Sequence, residues 1–249
     1  MSTNMTYIIL AAGKGANLHP LTLKYPKTSY KLDENITVLQ RMVRSIRKFD
    51  KNAEIVVVVG YLSDMIRHEL SDDNVKFVMN PFYEVTNSIS SVWFARDYLE
   101  RENVAIIHGD AVFEDYLLEN YLVKPTNYPY VFVDSSSIMP NNYNAVIKED
   151  QVLVMSKKLE NFSAKYACVT KLDAVSARLV KREVDNMIYS NMYDQYFEDS
   201  LMQMIMFHNF QLYYTDIKGY AWSEVNGVDD LLSAQQIHQH SVLAKEESL

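Results

Sequence analysis

Three continuous apolar runs in the first half of the chain, each followed by a segment of different period, limit what it can fold into. They are Tyr7 to Ala11, Glu54 to Gly60 (with Ile-Val-Val-Val-Val at its centre) and Val104 to His108. A run that is apolar at every position, rather than alternating, is expected of a strand buried on both faces, as in a parallel sheet. Val75 to Met79 reads as a further strand. Between these runs, Thr37 to Phe49 places Leu39, Met42, Val43, Ile46 and Phe49 on one helical face. Arg41, Arg44, Arg47 and Lys48 fall elsewhere and read as a solvated face. Ser63 is positioned to cap a helix reaching Leu70, and Ser88 to Leu99 is helical. Strands alternating with helices predict an α/β fold around a doubly wound, mostly parallel, Rossmann-like sheet. Ligands of such sheets sit at the carboxyl ends of the strands.

The second half is less regular. Pro129 to Asp134, Asn144 to Lys148, Val152 to Met155, Tyr166 to Leu172 and Gln211 to Ile217 read as strands. Asp173 caps a helix to about Tyr189, and a final helix runs from Val228 to about His240. Phe197 to Phe207, with Leu201, Met202, Met204, Ile205 and Met206, reads as a buried helix. There is no internal repeat, low-complexity tract or flexible linker, so residues 1–249 are expected to form a single compact domain.

Composition excludes several classes. A net charge of −8 is the wrong sign for coating nucleic acid or an anionic membrane. The single cysteine, Cys168, excludes an internal disulfide and reads as a small buried hydrophobe. No apolar run approaches the ~20 residues of a membrane span, and the N-terminus lacks a basic-then-apolar signal. A cytoplasmic protein is expected.

The chemistry is concentrated after the first strand, in Ile-Leu-Ala-Ala-Gly-Lys-Gly-Ala-Asn-Leu-His-Pro-Leu-Thr-Leu-Lys-Tyr-Pro-Lys, ending at Lys27. Small residues there let backbone N–H groups approach a phosphate closely, and Lys27 adds a positive charge at the far end of the loop. The string resembles the signature of the sugar-phosphate nucleotidyltransferase family at Gly13, Gly15, Leu18, Pro20, Leu21, Thr22, Pro26 and Lys27. It departs from that signature at Asn17, where the family has arginine. Asn80-Pro81-Phe82-Tyr83-Glu84-Val85-Thr86-Asn87-Ser88, followed by Ser91 to Leu99, resembles a stretch of the phosphocholine cytidylyltransferase branch. The C-terminal Trp222-Ser223-Glu224-Val225-Asn226 resembles the family's Trp-x-Glu-Ile/Val-Asp segment, with Asn226 at the aspartate position.

The resemblance implies a nucleotidyltransferase fold, with the nucleotide in the N-terminal half and the acceptor in the C-terminal half. It implies nucleotide binding by Leu10, Ala11, Ala12, Gly13, Lys14 and Gly15, with Gly109 and a pyrimidine pocket of Asn80, Thr86, Asn87 and Ser88. Lys27 would neutralise the transferring phosphate, and Asp110, just past a strand end, would hold Mg2+ together with Asn226. Lys157, Tyr196, Glu198, Asp199, Trp222 and Glu224 would line the acceptor pocket, where aromatic faces and carboxylates suit an ammonium group. His108 reads as a residue oriented inside the sheet. The implied activity is Mg2+-dependent transfer of CMP from CTP to a small phosphate or phosphonate, phosphocholine-like, with release of pyrophosphate. Neither nucleic acid nor membrane is an expected partner, and a homodimer is left open. Two alternatives stay open: a hexose-1-phosphate nucleotidyltransferase, and a nucleotide-binding homologue impaired in turnover by Asn17 and Asn226. Losing one charge-stabilising contact typically removes ~3–4 kcal/mol of transition-state stabilisation.

Overall fold

The apolar runs form the middle of a nine-stranded sheet in a computed structural model that describes residues 5–15, 18, 20–137 and 142–246. Strands β1 (Thr6–Ala11), β2 (Glu54–Val59), β3 (Lys76–Met79) and β4 (Asn103–His108) pair in parallel, in the order β3-β2-β1-β4. Beyond them lie β6 (Tyr130–Asp134), β7 (Asn144–Lys148), β8 (Gln151–Ser156), β9 (Ala164–Asp173) and β10 (Tyr213–Asp216). The full order is β3-β2-β1-β4-β9-β6-β10-β8-β7. The expectation of a mostly parallel sheet needs correction here. β9 enters antiparallel between β4 and β6, and β8 is antiparallel to both its neighbours, so the sheet is mixed. Connectivity accounts for part of this: a tight turn at Glu149-Asp150 joins β7 to β8, and short links join antiparallel strands, while β9 pairs with β7 rather than with β8. Two three-residue strands, β5 (Ala111–Phe113) and β11 (Trp222–Glu224), form a separate antiparallel pair.

Helices cover both faces. On one, α1 (Val38–Phe49) buries Leu39, Met42, Val43 and Ile46 against Tyr7, Ile9, Ile55 and Val57. Also on this face are α2 (Ser63–Glu69) and the short α4 (Asp115–Leu117), which continues as a wider π turn to Leu122. On the other, α3 (Ser88–Phe94), α5 (Ala174–Tyr189) and α6 (Phe197–His208) pack Ile89, Val92, Val180, Val184 and Leu201 onto Ile8, Val58 and Ile106. Helix α7 (Val228–Glu246) closes a third cluster with Leu18, Leu32, Val38, Val112 and Val225. Among the described residues no helix is long and apolar enough to cross a membrane.

Local signals resolve differently from expectation at several points. Ser63 is the first residue of α2, not its cap; Leu62 precedes it in a left-handed conformation, φ 47°. Helix α3 starts at Ser88 as expected but ends at Phe94, and Asn87 caps it, accepting from the Ser88 N–H at 2.8 Å. That helix gives way to a 3-10 turn over Arg96–Glu100, because the Ala95 N–H bonds back to both Ser91 and Val92. Arg41 is buried, held by Ser241 Oγ at 3.1 Å and Asp115 at 3.5 Å, so the arginines of α1 are not all solvated. In α6, Phe197, Leu201 and Met204 are buried, whereas Met206 and Phe207 are exposed.

Candidate active site

The loop after β1 is closely packed at Gly15. Gly15 sits at φ +62°, and a Cβ there would lie 3.0 Å from Lys27 Cβ. Thr22 Oγ1 donates to the Gly15 carbonyl at 2.9 Å, folding the loop back so that Lys27 points across the strand ends. Gly60 lets β2 pass: a Cβ would fall 2.7 Å from the Ala12 carbonyl oxygen and from Tyr83 Cβ. Gly109 follows β4 in the same way, its missing Cβ 2.8 Å from the Leu10 carbonyl oxygen.

Three segments distant in sequence meet at the end of this loop. Asp110 lies between β4 and β5, and β11 pairs with β5 so that Glu224 stands opposite Ala111. The Val225 N–H donates to the Asp110 carbonyl at 3.0 Å, which delivers Asn226 to the same place. The Lys27 ammonium donates to Asn226 Oδ1 at 2.9 Å and pairs with the Asp110 carboxylate. Burial works against the charge on Lys27, but Asp110, and behind it Glu224, more than compensate, and its pKa rises. One cation thus already holds two hard oxygen donors together. A divalent ion of the Mg2+ class takes such donors, so Asp110 and Asn226 fit one.

These groups open into a cleft of about 540 Å³. It is lined by Leu10, Ala11, Ala12, Gly13 and Gly15, with Asn80, Thr86, Asn87 and Ser88 as a further wall. Asn80 braces that wall: its amide donates to Thr86 Oγ1 and Ser91 Oγ at 3.2 Å each, and its oxygen accepts from the Phe82 N–H at 3.0 Å. Ser88 Oγ accepts the Phe197 N–H at 2.8 Å, tying this wall to the start of α6. Lys157, Tyr196, Glu198 and Glu224 also line the cleft. Of the residues expected at the site, Lys14, Gly109, Asp199 and Trp222 do not line the cleft. Lys14 pairs with Glu84 at 2.9 Å at the surface. The Asp199 carboxylate accepts from the Tyr196 N–H and the Tyr143 hydroxyl, at 2.9 and 2.7 Å. Trp222 stacks on Phe113, donates its indole N–H to Asp134 at 2.8 Å and has the Lys165 ammonium 4.7 Å from its ring centre. Asn17 lies outside the described residues.

Residues 6–165 match the family model described as nucleotidyl transferase. The chain belongs to the nucleotidyl transferase family. Its relatives include the CTP:phosphoglutamine cytidylyltransferase of Campylobacter jejuni, 31% identical over 115 residues. That alignment covers 44% of this chain and 45% of the relative, so the chain matches less than half the length of that protein. The choline-phosphate cytidylyltransferase of Streptococcus pneumoniae is 23% identical over 94% of this chain and 98% of its own length. A solved structure of the Streptococcus pneumoniae CTP:phosphocholine cytidylyltransferase superposes with a TM-score of 0.76 at 19% identity, covering 94% and 99% of the two chains. That likeness shows the fold.

Within this family member, the cleft is also lined by groups that the sequence reading did not single out: Tyr83, Asn142, Tyr143, Tyr166 and Cys168. His108 needs correction, since it faces the cleft, with Nε2 2.8 Å from the buried Glu198 carboxylate. Burial opposes its protonation, but Glu198 outweighs that and sets its pKa well above the usual histidine range. Glu224, although buried, is held well below the usual carboxylate range by His108 and Lys165, the latter 3.2 Å away. Cys168 is buried as expected, yet its thiol is part of the wall; burial, then Glu224, pushes it up to about 12. The only sequence signal for His108 was its place one residue before Gly109-Asp110.

Proposed function

We propose that the protein transfers CMP from CTP to a small phosphate or phosphonate acceptor, with release of pyrophosphate, in a Mg2+-dependent reaction. The observation that carries this reading is the meeting of Lys27, Asp110 and Asn226 at the end of the glycine loop. An acceptor oxygen attacks the α-phosphorus in line, the bond to the bridging oxygen breaks, and pyrophosphate leaves with that electron pair. The chain has to position the two phosphates and spread the developing charge. Backbone N–H groups of Gly13 and Gly15 face the leaving pyrophosphate, and Lys27 faces the transferring phosphoryl group. Asp110 and Asn226 would hold Mg2+, which would supply further charge neutralisation at that group.

Asn80, Thr86, Asn87 and Ser88 form the wall suited to a cytosine edge, which offers both donors and acceptors. In the same cleft, Glu198 Oε2 is buried and has no hydrogen-bond partner among the described residues. An unsatisfied buried carboxylate oxygen suits a donor or cationic group on the acceptor. The cytidylyltransferases similar to this chain are named for phosphocholine and phosphoglutamine acceptors, which supports the same class here.

The test is pyrophosphate release with Mg2+ from CTP, UTP, dTTP, ATP and GTP separately, each with pooled small phosphates, phosphonates and sugar 1-phosphates. Release with CTP and a non-sugar acceptor is expected. Release only with UTP or dTTP and a sugar 1-phosphate would establish the hexose-1-phosphate alternative. Activity that emerges only in the Asn17→Arg/Asn226→Asp variant would establish a binding protein that has lost turnover.

A further inference from the structure

The Lys27 centre leaves one cluster in the cleft unused. His108, Cys168 and Glu224 come from β4, β9 and β11, and their ligating atoms lie within 4.8 Å of one another. We propose that these three residues form a site for a borderline-soft divalent transition-metal ion of the Zn2+ class, distinct in ligand set from the hard-oxygen pair Asp110 and Asn226.

Donor chemistry gives the first argument. A thiolate, an imidazole and a carboxylate select Zn2+, Co2+ or Cd2+ over Mg2+ and Ca2+, which take oxygen ligands. In a tetrahedral Zn2+ site, with metal–ligand distances of about 2.0–2.3 Å, neighbouring ligand atoms lie about 3.3–3.7 Å apart. His108 Nδ1 and Glu224 Oε1 stand 3.9 Å apart, so small side-chain rotations close the set.

The outer partners give the second. A metal-bound histidine ordinarily gives its other ring nitrogen to a carboxylate, which fixes the ring. His108 Nε2 does this with the buried Glu198 at 2.8 Å, leaving Nδ1 turned to Glu224. Glu224 is likewise oriented: Oε2 pairs with Lys165 at 3.2 Å, and Oε1 is the oxygen nearer His108.

The backbone gives the third. Cys168 has φ +62°, a left-handed conformation inside a buried strand, at the point where the β6–β9 register shifts between Val131 and Val133. A residue other than glycine rarely adopts this conformation. Strain and bulges of this kind are found where a side chain is re-aimed for a function. Here the re-aimed group is the thiol. All three residues line the cleft, so three protein ligands leave a fourth position open towards it, the arrangement of a metal that meets a ligand.

The probe is Co2+ alone, titrated into the full chain without nucleotide and in excess Mg2+. One equivalent is expected to bind, with visible bands of tetrahedral Co2+ and a near-ultraviolet thiolate-to-metal charge-transfer band, all lost when Zn2+ is added. Cys168→Ser should abolish the charge-transfer band and weaken binding at least tenfold. Glu198→Gln should keep the band and weaken binding about 10–100-fold. Asn226→Ala should leave both unchanged. Wild-type spectra without a charge-transfer band, or a band that survives in Cys168→Ser, would overturn the proposal. The wild-type result decides even if a variant fails to fold. Because no turnover is read, a failed pyrophosphate assay leaves this test intact.

Discussion

Two lysines show how far a residue's surroundings set its role. Lys27 is a buried ammonium whose charge is sustained by Asp110, with Asn226 as its second oxygen partner. Lys27→Gln keeps a polar side chain but removes the charge proposed to face the transferring phosphate. It should lower kcat by about 10²–10³ with a smaller change in KM, read by steady-state pyrophosphate release. Lys171 is the contrary case. It is fully buried in β9, donates to the Tyr121 carbonyl at 2.7 Å and to that of Lys124, and burial lowers its pKa to about 7. The unfolded chain takes up this proton near 10.5, the folded chain only near 7. Between those values the unfolded state binds the extra proton, so the lysine's contribution to stability rises with pH; below 7 both states are protonated and the dependence ends. Relative to Lys171→Met, the wild type should therefore gain up to about 1.4 kcal/mol per pH unit between pH 7.5 and 9.5, in urea unfolding at each pH. A difference between the two proteins that is flat across that range would refute the buried neutral lysine.

At the scale of elements, α1 shows where local chemistry and tertiary packing agree. Its apolar face was set by 3.6-residue spacing, and its start is fixed by reciprocal bonds: the Gln40 N–H to Thr37 Oγ1 at 3.2 Å, and the Thr37 N–H to Gln40 Oε1 at 3.1 Å. Thr37→Ala should lower stability by about 1 kcal/mol, seen as a lower urea midpoint with an unchanged slope. Strands β1, β2 and β4 were equally legible, because a run apolar on both sides has few other places to go. Their direction was not legible. A central antiparallel strand buried on both faces, such as β9, carries the same pattern as a parallel one, and only its partners reveal the inversion. β5 and β11 span three residues each, too short for any periodicity, yet their pairing brings Glu224 and Asn226 to Asp110. The site was legible where it follows the chain, at Gly13, Gly15, Lys27 and Asp110. It was hidden where it depends on what crosses over. Cys168 and His108 read as core residues, and a bulge with Glu198 behind it turns them into the cleft. Trp222 and Asp199 read as site residues, but nearer partners engage them.

At the scale of the whole molecule, the cleft draws its walls from residues far apart in the chain, from Leu10 to Asn226. Its glycine loop follows β1 in the parallel part of the sheet, whereas Cys168 belongs to the inverted strand β9 and Glu224 to the separate β5–β11 pair. The unfolded chain has no counterpart to such a cleft, so a ligand bound across it stabilises the fold by mass action. The gain is about 2.7 kcal/mol at a hundred times Kd. For a chain of 249 residues, with roughly 2–4 °C per kcal/mol, Tm should rise by about 5–10 °C. CTP with Mg2+ should produce this shift and GTP at the same concentration should not, if the Asn80–Ser88 wall reads a cytosine edge as proposed. Lys27→Gln should reduce the CTP shift, and Phe207→Ser, at an exposed position of α6 away from the cleft, should leave it intact. Equal shifts for CTP and GTP would move nucleotide selection away from that wall, and no shift with any nucleotide would remove the glycine loop as a phosphate site.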